Sequence, residues 1–120
     1  MPEVSTVADA ATKALEELVV AIDESVQELT TARARAEELL ASRAVGRSWL
    51  EIVSAESRPL VVESISAVLA TLARAGSAFR REQAHALQGE QVSINRIAAL
   101  FGVTRQRISA LLREHSGDAG

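Results

Sequence analysis

An all-α fold is predicted by three features of this 120-residue chain. Its apolar residues, 48% of the total, are mostly Ala, Leu, Val and Ile, and the aromatic ones are Trp49, Phe79 and Phe101 alone. Ala and Leu are strong helix formers. Residues 5–44 contain neither Pro nor Gly, and their apolar positions recur at helical spacing. The expected architecture is a long N-terminal helix with short helices, followed by a C-terminal unit of three helices.

The same composition narrows the function classes. A chain of this length builds one ordinary domain. There is no Cys, hence no disulfide frame, thiolate metal site or cysteine nucleophile, and His85 and His115 lie far apart. No metal and no cofactor are expected. Unbroken apolar runs such as Leu18 to Ile22 are far shorter than the roughly 20 residues that span a bilayer, and the opening stretch has no basic and apolar leader pattern. A cytoplasmic protein without a membrane partner is the expectation.

Net charge is −3, which on its face argues against nucleic acid. The mean hides an asymmetry: residues 1–79 hold 12 acidic and 7 basic groups, net −5, whereas residues 80–120 hold 4 and 6, net +2. Salt limits electrostatic reach to about 10 Å at 0.1 M, so the local balance of the C-terminal end decides what it can bind.

The elements follow in order. Ala11, Leu15, Leu18, Ile22, Leu29, Ala32, Ala36 and Leu39 keep the four-three spacing of a helix seam, and Val19, Val26 and Leu40 widen it. Thr6 followed by Asp9 offers a start signal. So long a stripe fits either a second copy of the chain or the chain's own later helices. The first is the reading carried forward, a coiled-coil-like homodimer seam through Leu15, Leu18, Ile22, Leu29 and Leu39. Gly46 sits where a glycine ends a helix. Ser48-Trp49-Leu50-Glu51 has the form of a capping box and predicts a short helix from Trp49 to about Glu56, with Trp49 as core plug. Arg58-Pro59 closes it, Pro59 fitting the first turn of a third helix. That helix presents Leu60, Ile65, Val68, Leu69 and Leu72 until Gly76. Residues 1–76 thus read as an assembly region, 77–115 as a second region and 116–120 as a disordered tail.

After Gly76 come a helix over residues 77–88, the turn Gly89-Glu90-Gln91-Val92, a helix over residues 93–101, then Gly102-Val103 and a last helix over residues 104–114. This segment resembles the helix-turn-helix of bacterial DNA-binding proteins, in the three-helix form of sigma-factor promoter-reading domains and resolvase tails. The resemblance covers about residues 79–114. It rests on small Ala98 under the crossing helix, Gly102 as left-handed turn residue, Ile97, Phe101, Val103, Ile108 and Leu111 at core positions, and Thr104 as N-cap.

What the resemblance implies is a reading head for double-stranded DNA. With Ile108, Leu111 and Leu112 turned inward, Thr104, Arg105, Gln106, Ser109, Ala110 and Arg113 face outward, at the positions from which family members read bases. Arg can bond both acceptors of guanine, Gln those of adenine, and Ala or a Thr methyl can touch the thymine methyl. Ser93, Asn95, Arg96 and Arg107 are the expected phosphate contacts.

The expected function is a homodimeric, sequence-specific transcriptional regulator associated with the nucleoid. The alternative is a helical interaction module, an adaptor that uses its acidic N-terminal helix on polymerase or another regulator. Enzymatic activity is not expected, since Glu16-Glu17 and Glu37-Glu38 are adjacent on a helix and point in different directions.

Overall fold

The computed structural model describes residues 9–114. Five helices run in order, α1 (Ala10–Ala44), α2 (Trp49–Ala55), α3 (Val61–Gly89), α4 (Ile94–Phe101) and α5 (Arg105–Arg113), and no strand occurs among the described residues. The fold is all-helical. Thr6 and the tail at residues 116–120 lie outside the described residues.

Helix ends are set by local chemistry. Asp9 caps α1, its carboxylate accepting the Thr12 N–H at 2.7 Å. Bonds from the Thr12 hydroxyl and N–H hold the Asp9 carboxyl below its usual range. α1 then runs 35 residues, about 52 Å at 1.5 Å each. Gly46 ends it at φ +95, a region open to glycine, with the Arg47 N–H returning to the Ser42 carbonyl at 3.2 Å. The capping box forms as the motif predicts: the Glu51 N–H donates to Ser48 Oγ at 3.1 Å, and the Ser48 N–H to Glu51 Oε1 at 2.9 Å. The bond from the Ser48 backbone is the main reason the Glu51 carboxyl sits below its usual range. The box is therefore complete above the ordinary carboxylate range and lost as pH falls through the depressed value.

Carboxylates also build the start of α3. Glu56 accepts the Val61 N–H at 2.8 Å, and Glu63 accepts the Leu60 N–H at 2.8 Å while pairing with Arg58 at 2.6 Å. Both negative groups sit where the helix dipole favours them. Pro59 precedes the helix rather than entering its first turn.

α3 does not stop at Gly76. It continues to Gly89 as one helix of 29 residues. A glycine inside a helix costs about 1 kcal/mol relative to Ala, and Ala73, Ala75 and Ala78 around it offset that price locally. Nor does Gly89 supply the left-handed residue of the following turn: Gln91 does, at φ 71.

Contacts divide the chain into two units that cut across α1 and α3. In the Val20–Ala73 unit, Leu39 and Ser42 of α1 line one cavity with Ile52 and Ala55 of α2 and Val61 of α3. Arg35 donates to the Ser57 carbonyl at 2.8 Å, whereas Ser25 and Glu28 share a cavity of about 480 Å³ with Pro59, Ser64, Val68 and Thr71. The two helices are antiparallel neighbours here. Their buried positions are small or β-branched: Ala21, Ser25 and Ala32 on α1, Val61 and Val68 on α3, with Ile52 from α2.

Larger aliphatic side chains lie one step round. Ile22, Val26 and Leu29 on α1, and Val62, Ile65 and Leu69 on α3, are exposed. The line on α1 continues through Val19 to Leu15. Of the five seam residues, Leu15, Ile22 and Leu29 belong to this outer line, and Leu18 and Leu39 are half-buried. Trp49, expected as a core plug, is 57% exposed, with the Arg43 guanidinium over its ring at 5.2 Å; Ile52 takes the core position of α2.

The other unit joins the start of α1, to Val19, with residues from Arg74 onward. Its core is Ala84 of α3, Ile97 and Ala98 of α4, and Ile108 and Leu111 of α5, with Leu87, Val92, Ile94, Phe101 and Leu112 packed against it.

Two glycine substitutions should move stability in opposite directions. A Cβ at Gly76 or at Gly102 meets nothing within 4 Å, so only the backbone differs between them. Gly76→Ala, mid-helix, is expected to stabilise by about 0.5–1 kcal/mol. Gly102→Ala, at φ +69, is expected to destabilise by about 1–2 kcal/mol. Urea unfolding midpoints measure both.

Candidate nucleic-acid interface

The C-terminal helices owe their arrangement to two caps and one turn. Ser93 caps α4 by accepting the Arg96 N–H at 3.1 Å. Gly102 ends it in the left-handed conformation, φ 69 and ψ 34, and the Val103 N–H returns to the Ala98 carbonyl at 3.0 Å. Two residues later Thr104 caps α5, accepting the Arg107 N–H at 3.0 Å. This compact turn lets Ile108 and Leu111 close on Ile97 and Ala98. Ile97 and Ile108 are fully buried.

Val103, expected in the core, is 42% exposed. Its N–H is tied to the end of α4, and the side chain is left at the solvent edge of the turn. Phe101 is half-buried against the core, and the Arg80 guanidinium lies 4.2 Å from its ring centroid. Such a placement is a cation–π contact.

The outward side of α5 is polar. Arg105, Gln106, Ser109 and Arg113 line one open concavity of about 300 Å³. Arg105, Gln106 and Arg113 are exposed and Ser109 half-buried. Of the other residues expected to read bases, Thr104 is exposed at the cap with its hydroxyl engaged as acceptor, and Ala110 is half-buried; neither lines the concavity. Ser93 is exposed at the start of α4 beside exposed Asn95 and Arg96, and Arg107 is exposed on α5. α5 carries three arginines and no acidic residue.

A fastening that the sequence did not reveal holds the far end of α5. The Arg81 side chain, 18% exposed, pairs with Glu114 at 3.1 Å and approaches Glu82 at 3.7 Å. His85 Nε2 lies 3.0 Å from the Glu114 carbonyl oxygen. A carbonyl only accepts, so Nε2 is the donor in this contact. Arg81 and His85 are four apart on one side of α3, and that spacing was the available signal. Their partner is about 30 positions away in sequence, which no local pattern reports.

Protein-family models, curated protein sequences and solved structures were compared with the chain, and none matches.

Replacing Arg81 with Ala should free the last turn of α5 while leaving the core intact. Amide hydrogen exchange is expected to quicken at residues 112–114 and to stay slow at Ile97 and Ala98. Equal acceleration at all of these would mean that Arg81 supports the whole unit.

Proposed function

We propose that this chain is a sequence-specific DNA-binding protein, a homodimeric transcriptional regulator of helix-turn-helix type, with α5 as the recognition helix in the major groove. In this reading the end of α3, with α4 and α5, is the three-helix reading head, and the remainder is the assembly region. The protein works in the cytoplasm, on the nucleoid, and has no catalytic role.

One observation carries the reading: α5 commits Ile108 and Leu111 to the core and turns Arg105, Gln106, Ser109 and Arg113 outward around one open concavity. A helix of two turns so divided has the shape and the donors that a major groove admits. Arg105 and Gln106 are the first readers, for guanine and adenine; Ser109 and Arg113 follow, and Thr104 and Ala110 supply methyl groups for thymine. Arg107 flanks the helix and, with Arg96, Asn95 and Ser93, holds phosphates.

A second reading has support of its own. Trp49, Leu50 and Val53 of α2 are all exposed, and an exposed aromatic beside two aliphatic residues suits an adaptor that docks on another protein.

Selection from random duplexes, followed by mobility-shift titration, tests the first reading. The recovered site should be an inverted repeat with half-site centres about 34–36 Å apart, or a multiple of that. Arg105→Ala is expected to cost about 1–3 kcal/mol and relax preference at one base pair; Arg107→Ala should weaken all duplexes alike and lower the salt slope by about 1. No duplex binding at low salt, or an unchanged Arg105→Ala protein, would overturn the assignment and leave the adaptor reading.

A further inference from the structure

We propose that the uncovered apolar side of α1 and α3 in the Val20–Ala73 unit is a two-fold interface with a second copy of the chain, each copy's α1 lying along the other's α3. This deepens the homodimer part of the proposed function and is independent of what α5 binds.

The geometry begins with handedness. Ile22 and Val26 follow buried Ala21 and Ser25 by one residue, and Val62 and Leu69 follow buried Val61 and Val68 by one. One residue is about 100° of helical turn. Two antiparallel helices that face each other through their buried lines therefore turn these next lines to the same side of the pair. Ile22, Val26 and Leu29 form one ridge of that side, and Val62, Ile65 and Leu69 the other. The charged residues within these spans, Asp23, Glu24 and Glu28 on α1 and Glu63 on α3, occupy other faces of the helices, with Asp23 nearest the ridge.

Area is the first argument for a second copy. A fully buried aliphatic side chain removes roughly 60–120 Å² from water, from about 1.5–3 kcal/mol at 25 cal/mol per Å². These six chains, each about half exposed, leave roughly 180–360 Å². Homodimer interfaces are about 65% apolar. The side thus supports roughly 280–550 Å² per copy, a small interface beside the 800 Å² or so of a standard one.

Charge selects among occupants. α3 is long and apolar enough to cross a membrane by length and composition, which raises a bilayer as the rival. Yet residues 10–28 of α1 carry five acidic groups and one basic, and Asp23 edges the ridge itself. An anionic leaflet attracts basic segments and repels this one. The same charges set the arrangement between copies. From Ser66 onward the outer edge of α3 is Ser66, Ala70 and Ala73, exposed, small and uncharged, and Glu63, one turn earlier on the same line, is paired with Arg58. Laying α1 on the partner's α3 puts Asp23 beside this neutral edge; laying α1 on α1 would stack acidic edges on each other.

The test is the mass of the full chain in solution without DNA, by sedimentation velocity. Wild type should be a dimer. Val26→Glu and Leu69→Glu should each weaken association roughly 30-fold or more, with helicity by circular dichroism unchanged, and Leu50→Glu on α2 should remain dimeric. Ser66→Glu, on the exposed outer edge of α3, gives the same reading if either ridge variant fails to fold. Because the chain has no cysteine, mixed Val26→Cys and Leu69→Cys proteins report the arrangement directly: a disulfide between the two species is expected in excess over the Val26→Cys self-pair. A monomeric wild type, a dimeric Val26→Glu protein, or a wild type that is monomeric and floats with phosphatidylcholine–phosphatidylglycerol vesicles overturns the proposal. A prevailing Val26→Cys self-pair overturns the arrangement. Duplex binding by the monomeric variants, compared with and without Arg105→Ala, reports the reading head separately.

Discussion

The size of the residues where the long helices meet governs the rest of this structure. α1 buries Ala14, Ala21, Ser25 and Ala32, no side chain larger than Ser. Small side chains let helices pack, but each contributes little: a methyl group is worth about 0.8 kcal/mol on burial, against about 1.5–3 for a whole Leu or Ile. The long helices are consequently joined by many weak contacts, and the heavier aliphatic residues of the same heptads are left outside. The opposite holds at the C-terminal end. There Ile97 and Ile108 are wholly buried within helices of 8 and 9 residues. Segments so short are marginal alone, so α4 and α5 depend on that core for their existence as well as their position.

How much of this was legible in the sequence depends on whether the cause was local. The capping box at Ser48 and Glu51, the helix-ending Gly46 and Gly102, and the cap at Thr104 each arise within a few residues, so local patterns report them. Gly76 shows the limit of local signals: a glycine marks a break, yet the alanines around it and the packing of the whole helix carry α3 through. Trp49 was misplaced because scarcity suggested a core role, whereas Ile52, three residues on, points inward from α2 and leaves the indole over Arg43.

The seam on α1 shows a subtler limit. Periodicity locates an apolar arc but not the direction in which the protein lies. Leu15, Leu18, Ile22, Leu29 and Leu39 share one broad arc, and the small residues beside them decide where it is divided. Ala21 and Ser25 draw α3 to one flank of the arc, which takes Leu18 and Leu39 inward and leaves Leu15, Ile22 and Leu29 outside. A hydrophobic pattern weights large residues most heavily, and here the buried positions of α1 are taken by small ones.

At the candidate interface, burial sorted α5 as its helical spacing requires, but electrostatics needed long-range contacts that no spacing encodes. Residues 92–114 hold four arginines and one acidic group, Glu114. Left unpaired, that carboxylate would sit within a Debye length of Arg113 and offset part of the local field. Arg81 engages it from α3, and His85 engages its carbonyl. The arrangement has a consequence for division of labour: Arg81 is occupied as a structural cation, so the basic character of α5 rests on Arg105, Arg107 and Arg113, with Arg96 at the start of α4. A net charge of −3 for the chain is thus compatible with a C-terminal end where, over residues 92–114, the one carboxylate is paired with Arg81.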